Sequence, residues 1–266
     1  MSKPVRIAIH GAAGRMGRRL VALAQDDNQL ELVAALESSE HPVFSNDAGE
    51  VAGVGAIDLR ISDEFPDTVE TVIDFSVPSA VESIIEKCVA SRVGLVEATT
   101  GLTNDQLDKI TQAAQTIPIV YAPNMSLAVN LTMRLSEIAG EALRGNSAGV
   151  DVEIIERHHR FKEDSPSGTA LRFGELIAAK MGQTQHVHGR EGNLGKRPND
   201  EIAYHAVRTG DNPGEHTIVF GMLGETIELS VKATSRDCYA LGALAAAKFV
   251  ARQEPGLYNM YDVLGL

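Results

Sequence analysis

The sequence is poor in aromatic residues and in cysteine. Among 266 residues there is no tryptophan, and phenylalanine and tyrosine together make up 5%. Cys88 and Cys238 are the two cysteines, and they lie far apart, with the spacing of neither a disulfide framework nor a metal site. We therefore expect both to be small core residues of a protein kept in a reducing compartment, the cytoplasm.

Long apolar runs are also missing. No stretch approaches the roughly 18 apolar residues that a membrane-spanning helix requires, and the opening segment MSKPVRIAIH enters a strand-like pattern without a leader. The 24 Lys and Arg are outnumbered by 36 Asp and Glu, giving a formal net charge of −12. Because nucleic-acid binding depends on clustered cations, this balance argues against a nucleic-acid groove. We expect neither a membrane nor a nucleic acid as partner.

The first half of the chain alternates short apolar runs with segments of helical length. The apolar runs are VRIAIH, LELVAAL, TVIDF, VGLVEA and IPIVYA. Such alternation is typical of an α/β domain built on a parallel sheet. Thr103 and Gln106 form a capping-box pattern, and Pro78 suits the first turn of another helix.

The second half has a different character. After a helical stretch at about 130–144, four strand candidates follow: VDVEIIE, EIAYHAV, HTIVFGM and TIELSVKA. Strict alternation in the last of them is typical of a half-exposed sheet. A final apolar helix, YALGALAAAKFVARQ, breaks this pattern and is expected to return to the first domain. The predicted domains are therefore 1–127 with 239–266, and 128–238.

A glycine triplet lies in IAIHGAAGRMGRRL, directly after a strand and across the start of a helix. Glycine allows a tight turn and close backbone approach, and the helix start suits a pyrophosphate. Glu37 ends the next strand, where a carboxylate accepts hydrogen bonds from ribose hydroxyls; a merely structural glycine turn leaves it unexplained. The candidate cofactor-binding residues here are Gly11, Gly14, Arg15, Met16, Gly17 and Glu37.

Two later loops follow strands at the edge where open α/β sheets bind ligands. They are ATTG, from Ala98 to Gly101, and APNMS, from Ala122 to Ser126. Their polar backbone groups are suited to hold a nicotinamide carboxamide. The candidate cofactor-binding residues are Ala98, Thr99, Thr100, Gly101, Ala122, Asn124 and Met125.

The segment HHRFKEDSPSGTA, residues 158–170, concentrates histidines and cations in an acidic protein. A solvated charged face is one explanation. The turn at its end favours another, because ALRFGELIAAKMG carries a helical apolar stripe that stops at Gly182. A helix start flanked by cations suits an anion such as a carboxylate.

These motifs together resemble the dihydrodipicolinate reductase family, which acts on 4-hydroxy-tetrahydrodipicolinate. The resemblance covers nearly the whole chain, through GAAGRMG, ATTG, APNMSLAVN, EIIERHHRFKEDSPSGTAL, HGREG, GEHTIVF and KATSR. It implies a Rossmann-type domain completed by the C-terminal helix, a smaller α+β substrate domain with an open mixed sheet, and closure between the two about a hinge. It also implies a homotetramer assembled through those sheets, including the IELSVKA segment.

The implied activity is the reduction of 4-hydroxy-tetrahydrodipicolinate to tetrahydrodipicolinate by NADH or NADPH in diaminopimelate and lysine biosynthesis. By the family's motif, His158 is the general acid, and Lys162 binds substrate and assists catalysis. The motif places the carboxylates of a small dicarboxylate substrate on His159, Ser167, Gly168 and Thr169. A histidine with a pKa near neutrality suits proton donation after hydride transfer, and a nearby dianion favours its protonated form.

The chain departs from the family pattern at several positions. Ala13, Ala98 and Ala128 stand where glycine is common, and Met125 stands where phenylalanine is usual. An added methyl group is tolerated where φ is negative. Arg157 and Phe161 also flank the catalytic positions unusually. These departures bear on cofactor affinity more than on reaction type.

Cofactor choice is predicted from Glu37 and the residues after it, Ser38-Ser39-Glu40. A carboxylate there favours the 2′-hydroxyl of NADH over the 2′-phosphate of NADPH. Arg15 or Arg18 at the start of the first helix can compensate. We therefore expect use of both cofactors, with NADH at least as efficient as NADPH.

Other interpretations stay open at this point. His186 and His188 in QHVHG share a face, but two ligands without a third are more typical of a solvated loop than of a metal site, so no metal is expected. A homoserine or aspartate dehydrogenase type of enzyme and a non-catalytic nucleotide-binding sensor are alternative functions. The paired histidines and the lysine ahead of Pro-Ser-Gly-Thr disfavour both.

Overall fold

The computed structural model describes residues 3–266, and the chain divides into two compact units. One unit comprises the chain up to Leu127 together with Asp237–Leu266, and the other comprises Ala128–Arg236. In chain order the elements are β1 (Val5–His10), α1 (Arg15–Ala24), β2 (Leu30–Leu36), α2 (Ala48–Ala52), β3 (Ile61–Ser62), β4 (Thr71–Asp74), α3 (Pro78–Ser91), β5 (Gly94–Glu97), α4 (Asn104–Ala113), β6 (Pro118–Tyr121), α5 (Leu127–Leu143), β7 (Asp151–His158), α6 (Gly168–Met181), β8 (Gln185–His188), β9 (Glu201–Arg208), β10 (Gly214–Met222), β11 (Glu225–Ala233), α7 (Asp237–Val250), β12 (Gly256–Tyr258) and α8 (Met260–Leu264).

The first unit is built on a parallel sheet of seven strands in the order β12-β6-β5-β4-β1-β2-β3. The chain moves outward from β1 through β2 to β3 and then returns to pair β4 with β1. The carboxyl ends of β1 and β4 therefore flank the point where the strand order reverses, which is where open α/β sheets bind their ligands.

Helices cover both faces of this sheet. On one face Ile9 packs in a cluster with Leu20 of α1 and Leu244 of α7, and all three are buried. On the other face Leu95 packs in a cluster with Ile84 of α3 and Ile110 of α4. Each fully buried Leu or Ile contributes about 1.5–3 kcal/mol relative to an exposed one. The Rossmann-type domain predicted from the alternating pattern is confirmed.

The local helix signals also behave as predicted. The Thr103 hydroxyl caps α4 by accepting from the Gln106 amide, and the Gln106 side chain reaches back to the Thr103 backbone N–H. Pro78 opens α3, where its missing N–H has no intrahelical partner to lose. Gly182 ends α6 in the left-handed conformation, with φ of 90°.

The second unit contains a mixed sheet of five strands in the order β11-β10-β7-β9-β8. Strand β10 is antiparallel to both β11 and β7, whereas β7, β9 and β8 run parallel. Helix α6 packs against β7 and β9. Alternate residues of β7, including Glu156 and His158, are buried on one face, while Ile155 on the opposite face is 41% exposed. The open mixed sheet is therefore confirmed.

The fifth strand of this sheet shows that QHVHG is not a loop, although both of its histidines are exposed, as predicted of solvated residues. His186 and His188 lie on β8, paired with β9. His186 Nδ1 lies 2.6 Å from the Tyr204 hydroxyl, and His188 stacks on the Tyr204 ring at 5.3 Å between centroids. Both histidines thus pack against Tyr204, a fully buried side chain of the adjacent strand.

Two further expectations concern the burial of the cysteines and the absence of a membrane-spanning helix. Cys88 is fully buried, as expected of a core residue, but Cys238 is only partly buried. Over residues 3–266, none of the helices combines the length and the apolar character that crossing a membrane demands.

Candidate active site

The turn after β1 has the geometry of a dinucleotide cradle. Gly11 adopts φ of +76°, and a Cβ on it would meet the Phe75 carbonyl oxygen at 2.8 Å. A Cβ on Gly17 would lie 2.1 Å from the Gly11 carbonyl oxygen, so α1 packs against the turn at a distance only glycine permits. Gly14 caps the start of α1 with no side chain over the first-turn N–H groups. Those N–H groups and the helix dipole suit a pyrophosphate.

Glu37 lies at the end of β2 and is tied to this turn through Ala13. The Ala13 N–H donates to Glu37 Oε2 at 3.2 Å, and the Ser38 N–H donates to Glu37 Oε1 at 3.0 Å. Arg18 Nε donates to the Ala13 carbonyl oxygen at 2.7 Å. The Glu37 carboxylate, which suits ribose hydroxyls, and the Arg18 guanidinium therefore both contact Ala13.

The two other predicted cofactor loops follow β5 and β6 in the same sheet, and parallel strands bring their carboxyl ends to one edge. Ala98 and Thr99 are buried at the sheet edge, while Thr100 and Gly101 are exposed. Ala122 and Met125 are buried as well, and Met125 belongs to the hydrophobic core, with Asn124 half-buried between them. The sheet edge therefore gathers the turn after β1, Glu37 and both loops, and these residues fit a nicotinamide dinucleotide.

The alanines at the three positions where the resemblance leads us to expect glycine adopt ordinary backbone conformations. Over residues 3–266, the non-glycine residues with positive φ are Ser45, Asp58 and Arg92. Ala13, Ala98 and Ala128 are not among them, so their methyl groups impose no left-handed strain.

His158 ends β7 and is held by a buried carboxylate. Its Nδ1 lies 2.6 Å from Glu156 Oε2, and because an ionised carboxylate only accepts, the Nδ1 proton is donated to Glu156. The side chain of Glu156 is fully buried, and His158 is 7% exposed. Nε2 is therefore the ring nitrogen left for chemistry.

Glu156 is the centre of a larger network. Arg208 of β9 forms a bidentate pair with it, with NH1 to Oε2 at 2.7 Å and NH2 to Oε1 at 2.8 Å. The Ser167 N–H also donates to Glu156 Oε1 at 3.0 Å. Because the donors of Arg208 form a rigid fork, Arg208 holds both oxygens of Glu156 in place. The pKa of Glu156 lies below its usual range, because these hydrogen bonds outweigh its burial.

Ser167 joins this network to the start of α6. Its Oγ accepts from the Ala170 N–H at 3.2 Å as the helix N-cap and shares a hydrogen bond of 3.1 Å with His216 Nε2. His216 in turn packs edge-on against His158, with 5.2 Å between ring centroids. Because Ser167 is 2% exposed and bonded at both N and Oγ, it fixes the helix start rather than presenting a free hydroxyl. Gly168 and Thr169 form the first turn beyond it.

The other predicted residues of the cluster lie on the loop between β7 and α6. His159 is partly exposed, and its Nδ1 is buried and bonded to no other group of the described chain. Lys162 pairs with Asp164 through a contact of 2.8 Å from Nζ to Oδ1. The structure thus brings His158, His159, Lys162 and the start of α6 together in the second unit.

Gly214 sets how close the backbone comes to His158. A Cβ at Gly214 would lie 2.9 Å from His158 Nε2, and its φ is +155°. Any larger residue would press against the reactive nitrogen or displace the ring. Glu156, Arg208, His216 and Gly214 were all missed by the sequence analysis. One signal was available, because the Glu-x-His spacing in a strand places Glu156 and His158 on the same face.

Burial governs the charge of the two histidines. It lowers the pKa of His158 below its ordinary value, and Lys162 and Arg208 lower it further, although the Glu156 hydrogen bond opposes them. Burial also lowers the pKa of His216 to about 4, with His158 acting in the same direction. The pKa of His158 in the substrate-free protein thus lies below its ordinary value, which favours the neutral imidazole.

A dinucleotide-binding parallel sheet joined to a unit with a carboxylate-held histidine at a helix start defines a nicotinamide-dependent reductase. Two family models match the chain: dihydrodipicolinate reductase, N-terminus, over residues 5–125, and dihydrodipicolinate reductase, C-terminus, over residues 128–264. The chain belongs to the dihydrodipicolinate reductase family.

Individual relatives agree with the family models. A 4-hydroxy-tetrahydrodipicolinate reductase from Rhodopirellula baltica is 55% identical over 99% of this chain and 97% of its own length. One from Alkalilimnicola ehrlichii is 45% identical over 98% of this chain and 99% of its own. A solved structure of dipicolinate-bound dihydrodipicolinate reductase from Paenisporosarcina sp. TG-14 covers 97% of this chain and 98% of its own, with a TM-score of 0.79 at 24% identity, which supports the fold.

Family membership confirms three expectations. The protein is an oxidoreductase, it uses a nicotinamide cofactor, and its reaction belongs to diaminopimelate and lysine biosynthesis. The homoserine or aspartate dehydrogenase type and the non-catalytic sensor are thereby set aside.

Proposed function

We propose that this protein reduces 4-hydroxy-tetrahydrodipicolinate to tetrahydrodipicolinate, with the first unit holding the cofactor and the second holding the substrate. The reaction consumes one hydride and one proton and releases water, and the bound cofactor supplies the hydride. The observation that carries the proposal is the hydrogen bond from His158 Nδ1–H to buried Glu156, next to an anion-binding helix start. This arrangement places a proton donor, His158, next to a helix start that suits a substrate carboxylate.

His158 is the general acid in this proposal. Glu156 fixes its ring orientation and stabilises the imidazolium, so that Nε2–H delivers the proton to the atom that hydride transfer leaves electron-rich. Before substrate binds, burial lowers the pKa of His158 and favours the neutral imidazole. A bound dianion raises its pKa, so binding of the substrate itself brings in the proton that the reaction needs.

The substrate carboxylates are assigned to the start of α6 and the loop before it. The first turn, Gly168-Thr169-Ala170-Leu171, carries no charge, and its backbone N–H groups are pre-oriented by the Ser167 cap. His159 contributes a ring nitrogen at this end. Lys162 exchanges Asp164 for a substrate carboxylate, so one ion pair replaces another and the lysine stays paired throughout.

Both nicotinamide cofactors are used in this proposal, with NADH at least as efficient as NADPH. Glu37 is positioned at the turn to accept from a ribose 2′-hydroxyl and would repel a 2′-phosphate. Arg18 supports partial compensation, because its Nε is fixed at the carbonyl of Ala13, the residue whose N–H contacts Glu37.

The protein is further proposed to work in the cytoplasm as a homotetramer. Both cysteines are free thiols, which is typical of a reducing compartment. Two apolar side chains on the face of the second sheet opposite α6 support assembly: Ile155 is 41% exposed and Val207 is 39% exposed. They come from β7 and β9. On the IELSVKA segment Val231 is buried and pairs with His216, whereas Ile227 is 40% exposed, and other subunits are proposed to cover this face as well. Light scattering that shows a stable monomer at assay concentration would contradict the tetramer.

A coupled assay tests the function. Substrate is generated enzymatically from pyruvate and aspartate semialdehyde, and nicotinamide absorbance is followed. The account expects oxidation of NADH that depends on both precursors. Cofactor binding without oxidation, when fresh substrate is present, would overturn it.

A further inference from the structure

Three ionisable side chains form a row across the first sheet, each on the last residue of its strand. His10 ends β1, Asp74 ends β4 and Glu97 ends β5, and they are direct neighbours in the strand register. The row crosses the point where strand order reverses. It immediately precedes the Gly11 turn and the loop that begins at Ala98. None of these three residues has a part in the proton-transfer chemistry described above.

The carboxylates of this row hold the backbone of the cofactor loops. Asp74 Oδ1 accepts from the Ser76 N–H at 2.9 Å and from His10 Nδ1 at 2.9 Å. Glu97 Oε1 accepts from the Thr99 N–H at 2.7 Å. Ser76 belongs to the loop that lies against Gly11, since a Cβ on Gly11 would meet the Ser76 Cα at 2.9 Å. The loop that begins at Ala98 and the Ser76 loop that packs against the Gly11 turn are therefore each tied to a buried acid.

One oxygen of each carboxylate accepts no hydrogen bond. Asp74 and Glu97 are both fully buried, and neither Asp74 Oδ2 nor Glu97 Oε2 has a hydrogen-bond partner among the described residues. The two residues are paired in the strand register, and Asp74 lies close enough to act on the Glu97 carboxyl group. Two bare carboxylates in contact would repel each other and leave both oxygens unsatisfied. A single proton satisfies both, because the protonated acid donates to the ionised one. Burial and the charge of Asp74 raise the pKa of Glu97 to about 9, which is consistent with this arrangement.

We propose that Asp74 and Glu97 share one proton and act as a positioning pair, which holds the Ser76 and Thr99 backbones in the arrangement that binds the nicotinamide cofactor. The inference rests on the proposed cofactor role of the turn after β1 and of the loop that begins at Ala98. Glu97 and His10 lie at the ends of their strands on either side of Asp74. Their presence adds a titratable element directly beneath the cofactor loops.

Over residues 3–266, Glu97 forms no ion pair with a cation that would stabilise a second negative charge. The ionisable groups facing the pair are His10 on β1, Tyr121 on β6 and Cys88 on α3. Burial raises the pKa of both Tyr121 and Cys88, and the negative charge of the pair raises them further, so both stay neutral. Helices α1, α4 and α7, which the structure describes in full, bury only uncharged residues. Lys87 on α3 acts on Cys88, but it is not among the groups that shift the pKa of Glu97. His10 is the basic group bonded directly to the pair, through Asp74.

Loss of the shared proton weakens cofactor binding for two reasons. It places two negative charges in contact at the ends of β4 and β5, which strains the two loops. It also adds a negative charge beneath a cofactor that is itself an anion. If only the protonated pair binds, apparent affinity falls with the protonated fraction, by about tenfold at one pH unit above the pKa.

The test is an NADH fluorescence titration of the full chain from pH 7 to pH 10, for wild type and for Glu97→Gln. Glutamine copies the protonated acid, because its carbonyl accepts from Thr99 N–H and its amide donates to Asp74, but it does not ionise. We expect the wild-type dissociation constant to rise about tenfold by pH 10 and that of Glu97→Gln to change less than twofold. Equal pH dependence in the two proteins would overturn the proposal.

Tyr121→Phe is the matched control. It removes a nearby phenol whose raised pKa should keep it neutral over this range, and it is therefore expected to keep the wild-type profile. If Tyr121→Phe abolished the pH dependence instead, the pair would not be its origin. Failure of the proposed function is a separate result, because it would appear as NADH binding without oxidation in the coupled assay. Failure of the cofactor-site assignment would appear as no NADH binding by wild type at any pH.

Infrared spectroscopy of the wild-type protein alone tests whether the pair holds a proton at pH 7. A protonated carboxylic acid has a carbonyl stretch that an ionised carboxylate lacks. The difference spectrum between pH 7 and pH 10 is expected to show loss of this band. Absence of a protonated acid at pH 7 would overturn the proposal even if Glu97→Gln did not fold.

Discussion

Glu156 Oε2 and His158 Nδ1 lie 2.6 Å apart on the buried face of one strand, and Arg208 from the neighbouring strand grips both oxygens of the glutamate. This relationship decides which nitrogen of His158 faces substrate. It also divides the charge of Glu156 between two partners, so the carboxylate orients the imidazole while Arg208 limits how far it raises the histidine pKa.

Glu156→Gln is expected to lower kcat/KM by about tenfold or more at neutral pH, because His158 loses the negative charge that favours its protonated form. The decline of the pH profile should move to lower pH, which a loss of folding alone would not produce. Stopped assays across pH 5–9 measure it. Glu175→Gln, which removes an exposed partner of Arg172 on α6, is the matched control and should leave the profile in place.

Wild type itself is expected to show different pH limits for kcat/KM and kcat. Burial lowers the pKa of His158 before substrate binds, so kcat/KM should decline through a pKa below the ordinary value of about 6.5. The bound dianion raises the pKa, and kcat should therefore hold to higher pH. Coincident profiles would show that substrate does not protonate His158.

Lys162→Ala should weaken substrate binding and slow the reaction, since removing an ammonium group from a carboxylate site costs on the order of a few kcal/mol. Thr169→Val should mainly raise KM. Lys180→Ala is the control, because Lys180 pairs with Glu141 at the far end of α6. If Lys162→Ala left kcat and KM unchanged, the dicarboxylate assignment of this cluster would be wrong.

His216 should make the fold sensitive to acid. Its pKa is about 4 in the folded protein because burial lowers it, below about 6.5 when unfolded. The neutral form is favoured on folding, so this stability is fully present above pH 6.5 and is lost as pH falls toward 4. The loss is about 3 kcal/mol by linkage. Urea unfolding at pH 7 and pH 4 should show a smaller decline for His216→Gln than for wild type, and equal declines would count against it.

Cofactor preference follows from Glu37 and Arg18. NADH should be at least as efficient as NADPH at fixed low salt, and Arg18→Ala should lower kcat/KM for NADPH more than for NADH. A tenfold or greater preference of wild type for NADPH, about 1.4 kcal/mol in the transition state, would contradict the role of Glu37.

Much of this architecture follows from local pattern. The five apolar runs of the first half all form parallel strands, and the Thr103 capping box and the Gly182 stop lie where the sequence predicts them. These features depend on residues within a few positions of each other. The sequence analysis missed the short strand β8, because the four residues of QHVH give too little alternation to separate a strand from a loop.

The networks around the site depend on pairing between distant segments. Arg208 meets Glu156 because β9 pairs with β7, and His216 meets Ser167 because β10 pairs with β7 on the other side. Likewise Asp74 and Glu97 become neighbours only through the register of β4 and β5. Composition and periodicity carry no information on such register, so these contacts required the structure.

The central claim is that His158 donates the proton in the reduction of 4-hydroxy-tetrahydrodipicolinate. The most direct measurement compares single-turnover oxidation of NADH by wild type and His158→Gln, with NADH affinity measured in parallel. The account predicts unchanged NADH affinity and a turnover lower by about a hundredfold or more. An unchanged maximal rate in His158→Gln would contradict it.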